Sequence, residues 1–163
     1  MSAKEKLEQM VQQAIACHTP RRLSLSLEQA AALASLAGEV AQEYEVAIVF
    51  SLVDAVGQQR YFFSMDNALL VSHKLAQEKA WTAVALRMAT HELARQVQPG
   101  TALYGLQHEE GICCLGGGLP CWSQGRLLGG IGISGGSVEQ DIAIAREALA
   151  RFSQAHFSLT PCQ

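Results

Sequence analysis

Residues 128–141, LGGIGISGGSVEQD, constrain the fold of this chain more than any other stretch. Alternating small and branched apolar residues read as a strand, and Ser137 with Gln140 reads as the capping box of a helix that follows at once. Gly130, Gly132 and Gly135 also satisfy the G-x-G-x-x-G spacing of dinucleotide-binding folds. That fingerprint requires its glycines in the turn between strand and helix, and an acidic residue about 20 positions on, ending the next strand. Here Gly130 and Gly132 fall inside the strand, and no strand follows the final helix. The spacing therefore argues against a nucleotide crevice. Glycine within a strand marks close approach of something to the backbone. Either the helix expected over 70–88 presses on Gly129, Gly130 and Gly132, or a flat ligand or neighbouring subunit lies there. Free N–H groups near Gly136 and Ser137 suit a carboxylate or phosphate, although the capping box already satisfies part of that demand.

The remaining pattern supplies the partners of that strand. Leu7, Met10, Val11, Ala14 and Ile15 form a helical stripe over 3–16, which reads either as a helix packed on the body or as a detachable docking helix. CHTPRR at 17–22 breaks it. Ser26 and Gln29 form a capping box, and the helix behind it is expected to bury Leu27, Ala30, Ala31, Ala34, Ala37, Val40 and Ala41. VAIVFSLVD (46–54) and QRYFFSM (59–65) read as a hairpin turned by AVGQ. A long helix follows over 69–88, then a short one, HELARQV, capped by Thr90 and stopped by Pro99-Gly100. GICCLG, GLPCW and LLGGIGIS read as three further strands, with SQGR a hairpin turn between the last two. Tight turns make neighbours antiparallel, so the expectation is an α+β domain: a five-stranded antiparallel sheet covered by helices. The expected organisation is an N-terminal helix and arm over 1–22, the domain over 23–157 and a tail over 158–163.

Composition narrows the function. Charged residues are 17% and hydrophobic ones 49%, which suggests that another subunit covers some apolar surface. The net charge of -3 lacks a basic stripe, so nucleic acid is not an expected partner. No apolar run reaches the roughly 18 residues of a membrane span, and MSAKEKLEQMVQQ is too charged for a secretory signal, so a cytoplasmic location is expected. The five cysteines include no C-x-x-C, which disfavours structural zinc and thioredoxin-like chemistry, and no C-x-x-C-H for covalent haem. They read mostly as buried small hydrophobes.

The segment GGGLPCWSQGRLLGGIGISGGSVEQD, together with EKAWTAVALRMATHEL and QPGTALYGL, resembles the signature of the GlcG/HbpS-like family. The likeness runs from about Leu25 to Phe152 and is nearest to the C-terminal domain of PduO-type proteins and their stand-alone diol-utilisation relatives. This resemblance implies a profilin-like α+β fold, homo-oligomers from dimer to octamer, and non-covalent haem b binding in some members. Corrinoid handling has been proposed for the PduO branch. The adenosyltransferase activity of PduO-type proteins belongs to a separate helical, ATP-binding domain, which nothing here resembles.

A haem reading directs attention to nitrogen donors. Of the five histidines, His18 lies in the break after the first helix, where an arm can swing it over a subunit surface, and Arg21 and Arg22 are placed to pair with propionates. Cys17 is the second candidate ligand there. His73 reads as a helix-surface or subunit-contact residue, His91 as a first-turn residue, His108 as part of a solvated acidic loop with Glu109 and Glu110, and His156 as tail. Glu139 and Asp141 fit a helix-dipole role in the first turn of the last helix. Trp81 and Trp122 could flank a flat ligand or fill a core or interface. No catalytic triad order and no metal-ligand spacing is evident. What the resemblance implies is then a non-enzymatic haem-binding domain of propanediol or glycerol utilisation, with iron expected on His18. Two rival expectations stand beside it: an accessory handling cobalamin or flavin for the diol dehydratase system, and a protein docked through its first helix to a microcompartment shell or partner enzyme.

Overall fold

The computed structural model describes residues 2–18 and 24–156, with the side chains of residue 3 and of 14–18 outside that description. Arg21, Arg22 and the expected tail therefore lie outside the described residues. Helix α1 spans Ala3–His18, α2 Leu27–Glu43, α3 Leu70–Ala85, α4 Thr90–Gln96 and α5 Val138–His156. Strands β1 (Val49–Asp54), β2 (Gln59–Ser64), β3 (Gly118–Ser123) and β4 (Arg126–Ser134) form one sheet in the order β2-β1-β4-β3, antiparallel throughout.

Both capping boxes form. Ser26 Oγ accepts the Gln29 amide at 3.1 Å while Gln29 Oε1 accepts the Ser26 amide at 2.9 Å. Ser137 and Gln140 repeat the exchange at 3.2 and 2.9 Å. Gln124 and Gly125 both take positive φ, 48° and 74°, the conformation a two-residue hairpin loop needs between β3 and β4. The buried stripe of α2 begins at Ala30 and includes Leu33, while Leu27 in the first turn stays exposed.

Period-two alternation in β4 sorts the two faces of the sheet. Ile131 and Ile133 join Phe50, Leu52 and Leu119 under α2 and α5. Gly130 and Gly132 face the opposite way, toward α3. A Cβ on Gly132 would overlap the Ala76 carbonyl, one on Gly130 would stand 2.9 Å from the Ala80 carbonyl, and one on Gly118 would stand 2.5 Å from the Lys79 carbonyl. The glycines thus let a helix backbone lie directly on strand backbone, and Ala76, Ala80 and Ala83 answer them from the helix.

The expected fifth strand, GICCLG, does not form: the sheet has four strands. Side chains satisfy that segment's backbone instead of a ladder. Thr82 Oγ1 accepts the Cys113 amide at 2.9 Å and donates to the Gly111 carbonyl at 3.2 Å, and Gly117 turns away at φ +118°. Thr90 is likewise not a cap. The N-cap of α4 is Ala89, without a side-chain bond, and the buried Thr90 hydroxyl accepts the Gly118 amide at 2.9 Å. Helix α1 continues through His18, and Leu7 and Met10 are each 62% exposed and Val11 49%, so the described part of its apolar stripe is not packed on the body.

Candidate functional site

Among the described residues, helix α3 carries three buried polar side chains, Ser72, Lys79 and Thr82. Lys79 sits on its inner face, with its Nζ 2.7 Å from Asp141 Oδ2 and donating to the Ile133 carbonyl at 2.8 Å. The other Asp141 oxygen accepts the Gly136 amide at 2.9 Å. Burial pushes the Asp141 carboxyl up, while the Lys79 ammonium and the Gly136 amide pull it back. The two side chains are 2% and 4% exposed, too sealed to meet a substrate. Asp141 thus does more than favour a helix dipole: it ties α5 to α3 and to the end of β4. Glu139, in contrast, stays exposed in the first turn. The expectations from sequence missed this pair; the signal for half of it was that Lys79 falls on the same helical face as Ala76 and Ala83, where a lysine needs a partner, while nothing in the sequence named Asp141 as that partner.

The outer face of α3 borders an open cleft of about 260 Å³, lined by Val53, Gly57, Gln77, Glu78, Trp81 and Glu110 among others. Trp81 is 42% exposed there. Its indole covers Gly57, which has φ +81° and where a Cβ would stand 2.9 Å from the indole nitrogen. Trp122 is half-buried and does not line this cleft, and its indole N–H has no partner among the described residues.

The described histidines differ in what their nitrogens can do. His73 Nδ1 lies 3.2 Å from the Leu70 carbonyl, which can only accept, so Nδ1 is the donor there. The exposed Phe62 ring lies beside it, centroids 6.0 Å apart. His91 Nε2 accepts from Arg146 Nη2 at 3.0 Å, leaving a buried Nδ1 proton without a partner among the described residues. Burial first, and then the Arg146 charge, hold His91 below the usual imidazole range. His156 stacks on Phe152 at 4.8 Å. His108 closes a 3-10 turn over Leu106–His108 and is exposed. His18 ends α1, and its side chain lies outside the description, as does that of Cys17.

Thiolate ligation of iron is disfavoured at the described cysteines. Burial raises Cys113 and Cys114 and pushes Cys121 up to about 12. No group of three His, Cys, Asp or Glu side chains that could hold a metal ion occurs among the described residues, including around His108. No described helix is long and apolar enough to cross a membrane. The donor chemistry present thus fits an iron porphyrin held by imidazole better than one held by thiolate.

Residues 25–150 match the family described as haem degrading protein HbpS-like. The corrinoid adenosyltransferase PduO of Citrobacter freundii is 53% identical over 130 residues, which is 78% of this chain. The chain spans only 39% of that protein, and 42% of the Salmonella typhimurium PduO. An uncharacterized 15.0 kDa protein from the dhaT-dhaS intergenic region of Citrobacter freundii is 41% identical, the match covering 80% of this chain and 94% of that one. Among solved structures, the PduOC:heme complex superposes with a TM-score of 0.79 at 46% identity, covering 86% of this chain and 99% of that chain.

Proposed function

The chain belongs to the HbpS-like family, and on that premise we propose that it binds haem b non-covalently, without itself catalysing a reaction, in cobalamin-dependent propanediol or glycerol utilisation in the cytoplasm. The observation that carries this reading is the likeness to the PduOC:heme complex over nearly all of that chain. His18 is the proposed iron ligand, with Arg21 and Arg22 meeting the propionates. Bound haem supplies a redox-active iron, and the residues of this chain orient and shield it. The raised thiols, together with a His91 whose Nε2 accepts from Arg146 and whose Nδ1 is buried, support an imidazole elsewhere as the donor. Homo-oligomers, from dimer to octamer, belong to the same reading.

The test is titration of the purified protein with hemin, followed by absorption spectroscopy. A Soret band that shifts on binding is expected, and His18→Ala is expected to weaken binding and alter the band. A spectrum insensitive to His18→Ala removes the ligand assignment, and no binding removes the function. Loss of the band with time under reductant replaces binding by haem degradation.

A second role is favoured by one observation: Leu7, Met10 and Val11 are exposed on α1. We propose that this helix docks the domain to a microcompartment shell or to the diol dehydratase system. Deleting residues 1–16 is expected to change localisation; unchanged localisation contradicts the role.

A further inference from the structure

The cleft on the outer face of α3 takes no part in the haem reading. Its volume, about 260 Å³, is close to the lower bound of small-molecule pockets, roughly 300 Å³. Three sets of hydrogen bonds hold its walls. The Asp54 carboxylate accepts the Val56 and Gln58 amides at 3.0 and 2.9 Å, which fixes the turn carrying Gly57. Thr82 Oγ1 holds the Gly111 carbonyl and the Cys113 amide, which fixes the loop behind Glu110. Gln59 Nε2 donates to the Leu52 and Tyr61 carbonyls at 3.0 and 2.6 Å, so that amide is already occupied. Trp81 stands with the nitrogen edge of its indole against Gly57, and 42% of the residue stays open to solvent. Val53 lines the cleft from the sheet.

The charged groups at this cleft are of one sign. The Glu110 side chain makes no hydrogen bond or ion pair with another described residue. Glu78 meets only Lys74, 3.6 Å away along the helix, and the side chain of that lysine is 78% exposed. No lysine, arginine or histidine is among the described residues that line the cleft. Two carboxylates beside a fixed, half-open indole and an aliphatic wall complement an ammonium head on an apolar stem. We propose that this cleft binds a short primary alkylammonium ion. Its N–H groups donate to the Glu78 and Glu110 carboxylates, its charge faces the Trp81 ring, and its methylenes lie on Val53 and the indole. A lone aromatic wall falls short of the cage that selects a methylated ammonium, whereas carboxylates reward N–H donors. The site is separate from the haem assignment and stands whether or not haem binds.

The chain has two tryptophans, Trp81 and Trp122, so Trp122→Phe leaves an indole emission that reports on the cleft alone. Titration of that full-length variant with n-butylammonium chloride at constant ionic strength is expected to give a saturable change in emission. Calorimetry of the wild type is expected to return the same dissociation constant. Glu78→Gln and Glu110→Gln are each expected to raise that constant about fivefold, and Trp81→Leu, read by calorimetry, about threefold. Lys74→Gln removes the cation that competes for Glu78 and is expected to tighten binding. Neutral n-butanol is expected not to bind, and tetramethylammonium to bind more weakly than n-butylammonium. Circular dichroism checks the fold of each variant. A wild type with no saturable response overturns the site. Equal binding of n-butanol, equal binding of tetramethylammonium, or an affinity unmoved by both glutamine substitutions overturns the primary ammonium assignment.

Discussion

Lys79 and Asp141 lie 62 positions apart in the chain and meet where α3, α5 and the end of β4 converge. Removing one partner of a buried pair leaves the other charge unpaired in a dry site. Lys79→Met or Asp141→Asn is therefore expected to cost about 3–5 kcal/mol in chemical denaturation. Replacing both with apolar residues is expected to cost less than the sum, and additive losses would contradict a direct pair. Residue chemistry also gives a pH dependence. His91 is held below the ordinary imidazole range by burial and Arg146, with Arg95 adding to the effect and Glu92 opposing it. On acidification the unfolded chain binds this proton first, so the site's contribution is complete above about pH 6.5 and is lost as pH falls toward the folded value. His91→Gln keeps an acceptor for Arg146 and does not titrate, so its stability is expected to fall less than wild type over that interval. Equal losses would separate His91 from the effect. Cys121, raised to about 12, is expected to resist alkylation until the protein unfolds, which mass spectrometry of labelled native and denatured samples reads.

At the scale of elements, the contact between α3 and β4 is set by residues that lack side chains. Gly132→Ala forces a methyl into the Ala76 carbonyl and is expected to destabilise by about 3 kcal/mol or more; a neutral result in thermal unfolding would deny the close contact. Such contacts were legible in sequence because two glycines one strand period apart read as a flat face, and the helix expected over 70–88 carries matching alanines. The capping boxes at Ser26 and Ser137 were legible because each is a local exchange within four residues. What was not legible depended on distant partners. GICCLG has the composition of a strand, but Thr82 takes its amide. Thr90 has the chemistry of a cap, but it sits one residue too late and serves Gly118 instead. Asp141 reads as a dipole acid until Lys79 is brought beneath it. In each case a short polar side chain had two plausible partners, and tertiary packing chose the one far away in sequence.

The described residues present a four-stranded sheet between α3 on one side and α2 with α5 on the other, with the edge strand β2 partly exposed. Low charge and an exposed apolar edge on α3 support the proposed homo-oligomers. The proposed iron ligand, His18, rests on the haem binding implied by family likeness and on the expectation of an arm over 17–22; no periodicity in the sequence could have singled it out among five histidines. The measurement that bears most directly on this account is the absorption spectrum of the purified protein during hemin titration, run beside His18→Ala. The account predicts a saturating, shifted Soret band in the wild type and a weakened, altered one in the variant. A wild-type spectrum that never departs from that of free hemin would contradict it.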